Sequence, residues 1–249
     1  MWKKIGIGVV VLLIIIAGVG YYLFSNLDSY VKAAIEKYGS QATQASVTLD
    51  KVVISISTGE GGLLGLSVGN PKGFATPHAI TVGTITLKID TGTVTGSGPI
   101  VIKEIDIDKP QVTYEVGNTG GSNLDAIQKN TQAYAGGGSN APTSGGGQER
   151  KLIINDLYVR DGQIGVSATA LQGKALNAPL PTIHLTNIGK SSNGATAGEV
   201  ANDVLGAITS EAAKTGSNQL MQSLGSSVTG VTGGATGGAA SGLKGLFGK

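Results

Sequence analysis

The feature that most constrains this chain is an uncharged apolar run from Ile5 to Phe24. About 20 residues of helix rise about 30 Å, the thickness of a bilayer's hydrocarbon core, so the run is expected to span a membrane. Lys3 and Lys4 flank its short end, whereas Asp28 and Glu36 offset Lys32 and Lys37 beyond it. The positive-inside rule therefore leaves the N-terminus in the cytoplasm and exports the rest. Trp2, Tyr21 and Tyr22 stand where interfacial aromatics are expected. The rival reading is a cleaved signal peptide with a weak small-residue site at Ala17 to Val19; the run's continuation through Leu23 and Phe24 favours an anchor.

The remaining residues, of 249 in all, suffice for one fair-sized domain or two small ones. With 41 glycines, 4% aromatic and 14% charged residues, the composition disfavours a charged disordered chain and suits short strands joined by glycine turns. Cysteine is absent, which removes disulfides, thiolate metal sites and a cysteine nucleophile. The net charge of +2 leaves no basic patch for nucleic acid.

Val31, Ala34, Ile35 and Tyr38 recur at helical spacing, which predicts a short helix ending at Gly39. Period-two alternation follows at Val52, Ile54 and Ile56, at Leu64, Leu66 and Val68, at Ile85, Leu87 and Ile89, at Ile105 and Ile107, and at Val112, Tyr114 and Val116. Each reads as a strand with one apolar face, in a meandering antiparallel sheet. Ser122 is placed to cap a helix toward Tyr134. Residues 136–150 are mostly glycine and small polar residues and read as a linker, after which alternation resumes from Leu152 to Leu185. Thr196 to Glu199 forms a capping box before Val200, Val204, Ile208 and Ala212, an amphipathic helix expected to cover the sheet. The organisation is thus an anchor over 1–27, a first β region over 28–135, the linker, strands and a helix over 151–225 on the same sheet, and a low-complexity tail over 226–249.

Three patterns invite chemistry. Gly65-Leu66-Ser67-Val68-Gly69 matches a nucleophile elbow, but Asn70-Pro71 follows where a helix is required, and His184 alternates with apolar residues in another strand. Glu104, Asp106 and Asp108 share one strand face beside Lys103 and Lys109, which reads as a solvated face rather than a cation site. His78 and His184 offer no zinc spacing. No metal, cofactor or enzymatic activity is expected.

The order of landmarks carries a resemblance: Glu36-Lys37-Tyr38-Gly39-Ser40, Val47-Thr48-Leu49, then Gly65 to Phe74 with Asn70-Pro71-Lys72-Gly73-Phe74. Ile85 to Asp90, Val101 to Ile107, Lys109-Pro110-Gln111-Val112 and Gly121-Ser122-Asn123-Leu124 follow. Together with the anchor, this resembles the N-terminal module of AsmA-like proteins of the Gram-negative envelope. The resemblance implies an inner-membrane anchor, a periplasmic curved β-groove and a role in envelope lipid homeostasis, with phospholipid acyl chains and other envelope proteins as partners. About eight strands at about 4.8 Å reach roughly 40 Å, too short to bridge two membranes alone. In such a groove the lining would be Val52, Ile54, Ile56, Leu64, Leu66, Val68, Ile85, Leu87, Ile89, Ile105 and Ile107. The same alternation suits a closed β-sandwich serving as a tethered structural or interaction module, and Asn70-Pro71 after a strand is similar to late-embryogenesis-abundant type 2 domains.

Overall fold

A computed structural model describes residues 26–55, 57–117, 120–135, 150–168 and 176–229. The apolar run Ile5–Phe24, residue Ile56, most of the glycine-rich linker and the tail beyond residue 229 lie outside the described residues. Among the described residues no helix is long and apolar enough to cross a membrane.

Helix α1 (Leu27–Thr43) runs four residues past Gly39 and ends at Gln44, whose backbone is left-handed at φ 53°. Gly39 does not stop the helix; it admits strand β1 (Val47–Thr48), since a Cβ there would lie 3.1 Å from the Val47 side chain. Lys32 donates to the Leu49 carbonyl, and Glu36 accepts from the Leu49 N–H at 2.9 Å. These two side chains satisfy backbone groups that an edge strand would otherwise expose.

Nine further strands follow: β2 (Lys51–Ser55), β3 (Glu60–Gly69), β4 (His78–Ile89), β5 (Ile100–Asp108), β6 (Gln111–Val116), β7 (Leu152–Arg160), β8 (Gln163–Ala168), β9 (Leu176–Pro179) and β10 (Ile183–Ile188). Helices α2 (Thr91–Val94), α3 (Asn123–Ala135) and α4 (Ala197–Thr229) complete the fold. The protein is mainly β, and strands from both sides of residues 136–150 join one ten-stranded sheet.

Register reduces ten strands to six positions. The alignment that pairs Thr84 of β4 with Asp108 of β5 continues unbroken to pair Ile80 with Val112 of β6, so β5 and β6 are two halves of one bent strand. By the same test β7 continues into β8, β9 into β10, and β1 into β2. Six strands across are roughly 25 Å wide, well short of the eight-strand expectation. The breaks align in a single transverse crease through Asp50, Gly65, Gly83, Lys109, Asp161 and Pro181. Along it Gly65, Lys109 and Asp161 have φ of 64°, 50° and 54°. At Gly65 a Cβ would collide with the Asp50 carboxylate, so glycine is required there. No strand gains a residue on its neighbour at this line. Every strand kinks there in phase, which bends the sheet and transfers its apolar residues from one sequence parity to the other, as in the step from Val82 to Ile85.

The expectation of a wholly antiparallel meander needs correction. β5 pairs with β7, and β6 with β8, in parallel. A parallel neighbour requires a crossover of a dozen or more residues, and α3 with residues 136–150 supplies it. α3 is anchored by a capping box, with the Asp125 N–H donating to Ser122 Oγ and the Ser122 N–H to Asp125. Asn123, fully buried, accepts from the Glu115 N–H and donates to Thr113 O and Asn70 Oδ1. The Glu115 carboxylate in turn accepts from the N–H groups of Ala75 and Thr76 at 2.6 and 2.8 Å and from the Thr76 hydroxyl, which pins the β3–β4 loop.

Candidate functional site: the apolar face of the sheet

Register turns the alternating residues into ladders that cross the whole sheet. One runs Val52, Leu63, Ile85, Ile107, Val159, Ile183; a second runs Ile54, Gly61, Leu87, Ile105, Leu157, Leu185; a third runs Ile89, Ile102, Ile154, Ile188. Beyond the crease a fourth joins Val47, Val68, Ile80, Val112, Ile164 and Ala178. Leu124 and Ile127 of α3, with Ile208 and Ala212 of α4, belong to the same apolar cluster, so these helices pack on this face.

Coverage is unequal. Val52, Val68, Ile85, Ile105 and Ile107 are buried, at most 8% exposed. Ile54, Leu66, Leu87 and Ile89 are half-buried, and so is Leu63. Leu64 does not belong to the face: it is 37% exposed and points to the opposite side, because the left-handed kink at Gly65 puts Leu63, not Leu64, in line with Leu66 and Val68. The half-buried residues Ile54, Leu63, Leu87 and Ile89 gather at the β2–β3–β4 end. Gly61 lies between Ile54 and Leu87 in the ladder, and a Cβ there would sit 3.7 Å from the Leu87 side chain in ordinary contact. The missing side chain leaves an apolar notch at this end.

Gly61 was not singled out by alternation, because a glycine carries no period. The signal for the crease was present in the sequence as the three-residue steps from Leu49 to Val52, Val82 to Ile85 and Leu180 to Ile183.

The opposite face is polar and self-paired. Glu104 accepts from Lys88 at 2.8 Å, Asp106 from Arg160 at 2.7 Å and Asp108 from Lys109 at 3.0 Å. His184 lies 2.8 Å from Asp156 and stacks on Tyr158 at 4.2 Å, with the Arg160 guanidinium 4.0 Å from the other ring's centroid. Among the described residues no group of three His, Asp or Glu is placed to hold a metal ion. Ser67 Oγ lies 2.9 Å from His78 Nδ1, not near His184, which is four strand positions and roughly 19 Å away. The elbow pattern therefore does not bring Ser67 to the His184–Asp156 pair.

The chain matches no protein-family model and no curated protein.

Proposed function

We propose that this chain is a membrane-anchored, periplasmic, AsmA-like protein that acts without catalysis in envelope lipid homeostasis by holding phospholipid acyl chains on the apolar face of its curved sheet. The observation that carries the proposal is the incomplete cover at Ile54, Leu63, Leu87 and Ile89, contiguous with ladders that are apolar from edge to edge. An acyl chain needs a continuous apolar path with no polar group to desolvate, and the ladders offer one. Across β4, β5 and β7 their opposite face carries ion pairs, which disfavour an acyl chain there. The anchor would hold the protein in the inner membrane through Ile5–Phe24, with Lys3 and Lys4 in the cytoplasm.

A second reading is favoured by the burial of Val52, Ile85, Ile105 and Ile107: a closed β module, tethered to the membrane for interactions with envelope proteins and holding no lipid. The two separate by photolabelling. The full chain is reconstituted in phosphatidylethanolamine and phosphatidylglycerol vesicles containing a phospholipid with a diazirine on one acyl chain, and labelled residues are mapped by mass spectrometry. Labels on Leu63 and Leu87 but not on the adjacent, opposite-facing Leu64 are expected for acyl-chain binding. Labels confined to Ile5–Phe24 would establish the tethered module instead.

A further inference from the structure

We infer that α4 is a displaceable plug on the apolar face, which must swing away before an acyl chain can pass beyond the open end; this rests on the acyl-chain reading above. The argument begins with what holds each helix. α3 buries Leu124, Ile127 and Thr131 almost completely and is tied to the sheet through Asn123. α4 is much longer, yet among the residues whose burial is described its one fully buried large side chain is Ile208, beside Thr209, Ala212 and Gly216, while Val200, Val204 and Leu205 pack against the core cluster only half-buried.

The intrinsic helix is weak as well. α4 contains Gly198, Gly206, Gly216 and Gly225, and each interior glycine costs about 1 kcal/mol relative to alanine. Asn202 Oδ1 is buried without a hydrogen-bond partner among the described residues, a further cost of the docked position. On the sheet side, α4 comes close to the Tyr114 ring, since a Cβ at Gly216 would lie 3.0 Å from it. At its start α4 is fixed: Ala195 pairs with Leu152, and Thr196 with Glu199 closes the capping box at 2.7 and 3.1 Å. Immediately before that point the backbone is left-handed at Asn193 and at positive φ at Gly189 and Gly194. The helix thus has a firm pivot, a glycine-bearing turn behind it and a body that rests on α3 and the sheet mostly through half-buried side chains.

That body lies where it matters. α4 packs on β6, β8, β9 and β10, and the ladders run unbroken from the open end at β2–β4 to these strands. Undocking α4 would expose Ile164 and Val166 to an incoming chain, at a cost the chain's own burial offsets.

The native chain has no cysteine, so an introduced pair is the sole disulfide. A Cβ at Gly216 would sit 3.4 Å from Tyr114 Cγ, and one at Gly198 3.2 Å from Ala135 Cβ. The second is close to the Cβ separation of about 3.5–4.5 Å that a disulfide uses, and in the first Tyr114 Cγ marks roughly where the sulfur of a cysteine at that position would stand. Gly216→Cys with Tyr114→Cys locks the helix body, and Gly198→Cys with Ala135→Cys locks its start, a second variant should the first fail to fold. With the diazirine phospholipid in vesicles, oxidation is expected to lower labelling of Ile164 and Val166 by about tenfold or more, with reduction restoring it. Labelling of Leu63 and Leu87 stays unchanged throughout. Deep labelling that is equal in oxidised and reduced protein, or absent from both while Leu63 and Leu87 are labelled, overturns the plug. Loss of labelling at Leu63 and Leu87 in unmodified protein overturns the acyl-chain reading itself, and the plug with it.

Discussion

Lys109 and Asp161 stand at matching positions on neighbouring parallel strands and share a left-handed backbone, φ 50° and 54°. The Lys109 N–H donates to the Arg160 carbonyl at 2.9 Å, which joins the two strands at their bend. Neither residue is glycine, so each carries a conformational cost of about 1–2 kcal/mol that the flanking register must sustain. The flanks are strong: the ladder continues through Ile107 with Val159 on one side and Val112 with Ile164 on the other, all buried. Two adjacent left-handed kinks in phase bend the sheet as a unit and leave the register between the two strands unbroken.

Replacing Lys109 tests whether the bend is held there. Lys109→Val, with a β-branched side chain at positive φ, is expected to lower stability by about 1–2 kcal/mol. Lys109→Gly relieves the strain but adds unfolded-state entropy, leaving stability within about 1 kcal/mol of the native chain. The side chain's exposed pairing with Asp108 contributes little to either result. Urea midpoints at constant slope, measured on the full chain in mild detergent, read both changes; equal midpoints for the valine and glycine variants would show that the left-handed backbone is not required.

The same crease explains where sequence reading succeeds and where it stops. Over short runs the alternation is reliable: Ile85 with Leu87, Ile105 with Ile107, and Val112 with Tyr114 all face the core cluster. Ile102 with Ile105, Ile154 with Leu157, and Leu185 with Ile188 face it too, but at three-residue spacing, where β4 and β5 shift register beside Ile89. Across the crease the parity inverts, so Leu64, Leu66 and Val68 look like one face although Leu64 stands on the other. Lys109-Pro110 and Asp161-Gly162 resemble turns between strands, because a kink within a strand and a turn leave similar local marks. Local chemistry was more legible than long-range pairing. The Thr196–Glu199 box is formed as its spacing suggests, whereas the parallel pairing of β5 with β7 depends on where a crossover lands and leaves no local trace. Gly61 was invisible for a different reason, since its contribution to the site is an absent side chain.

That absence can be reversed with little disturbance. Gly61 has no positive φ, and a Cβ there meets Leu87 at ordinary contact distance, so Gly61→Val is expected to fold normally and to fill the notch. Gly62, the next residue, faces the other side, where its Cβ would meet only Leu64 at 4.0 Å. If the open end admits acyl chains, Gly61→Val lowers diazirine labelling of Leu87 by about tenfold while Gly62→Val does not, a difference of about 1.4 kcal/mol in effective affinity. Equal labelling in the two variants would place the bound chain elsewhere.

The pinned β3–β4 loop makes a prediction about acid. Burial alone pushes the Glu115 carboxyl upward, but the N–H groups of Ala75 and Thr76 and the Thr76 hydroxyl favour the charged form and leave it below the ordinary carboxylate value. A carboxyl depressed in the folded state contributes stability that is fully present above its unfolded value and is lost as pH falls through the lower folded value. The loop should therefore stay closed at neutral pH and loosen only in strong acid. Glu115→Gln presents one acceptor oxygen and a misplaced donor to the same three groups, which costs about 1–3 kcal/mol at neutral pH. Because glutamine does not titrate, the gap between native and variant stability should shrink as pH is lowered from 5 toward 2, on the order of the interval where a depressed carboxylate protonates. Denaturant midpoints across that range, with amide exchange at Ala75 and Thr76 as a local reading, test it; a gap that stays constant with pH would mean that Glu115 holds the loop through packing and not through its charge.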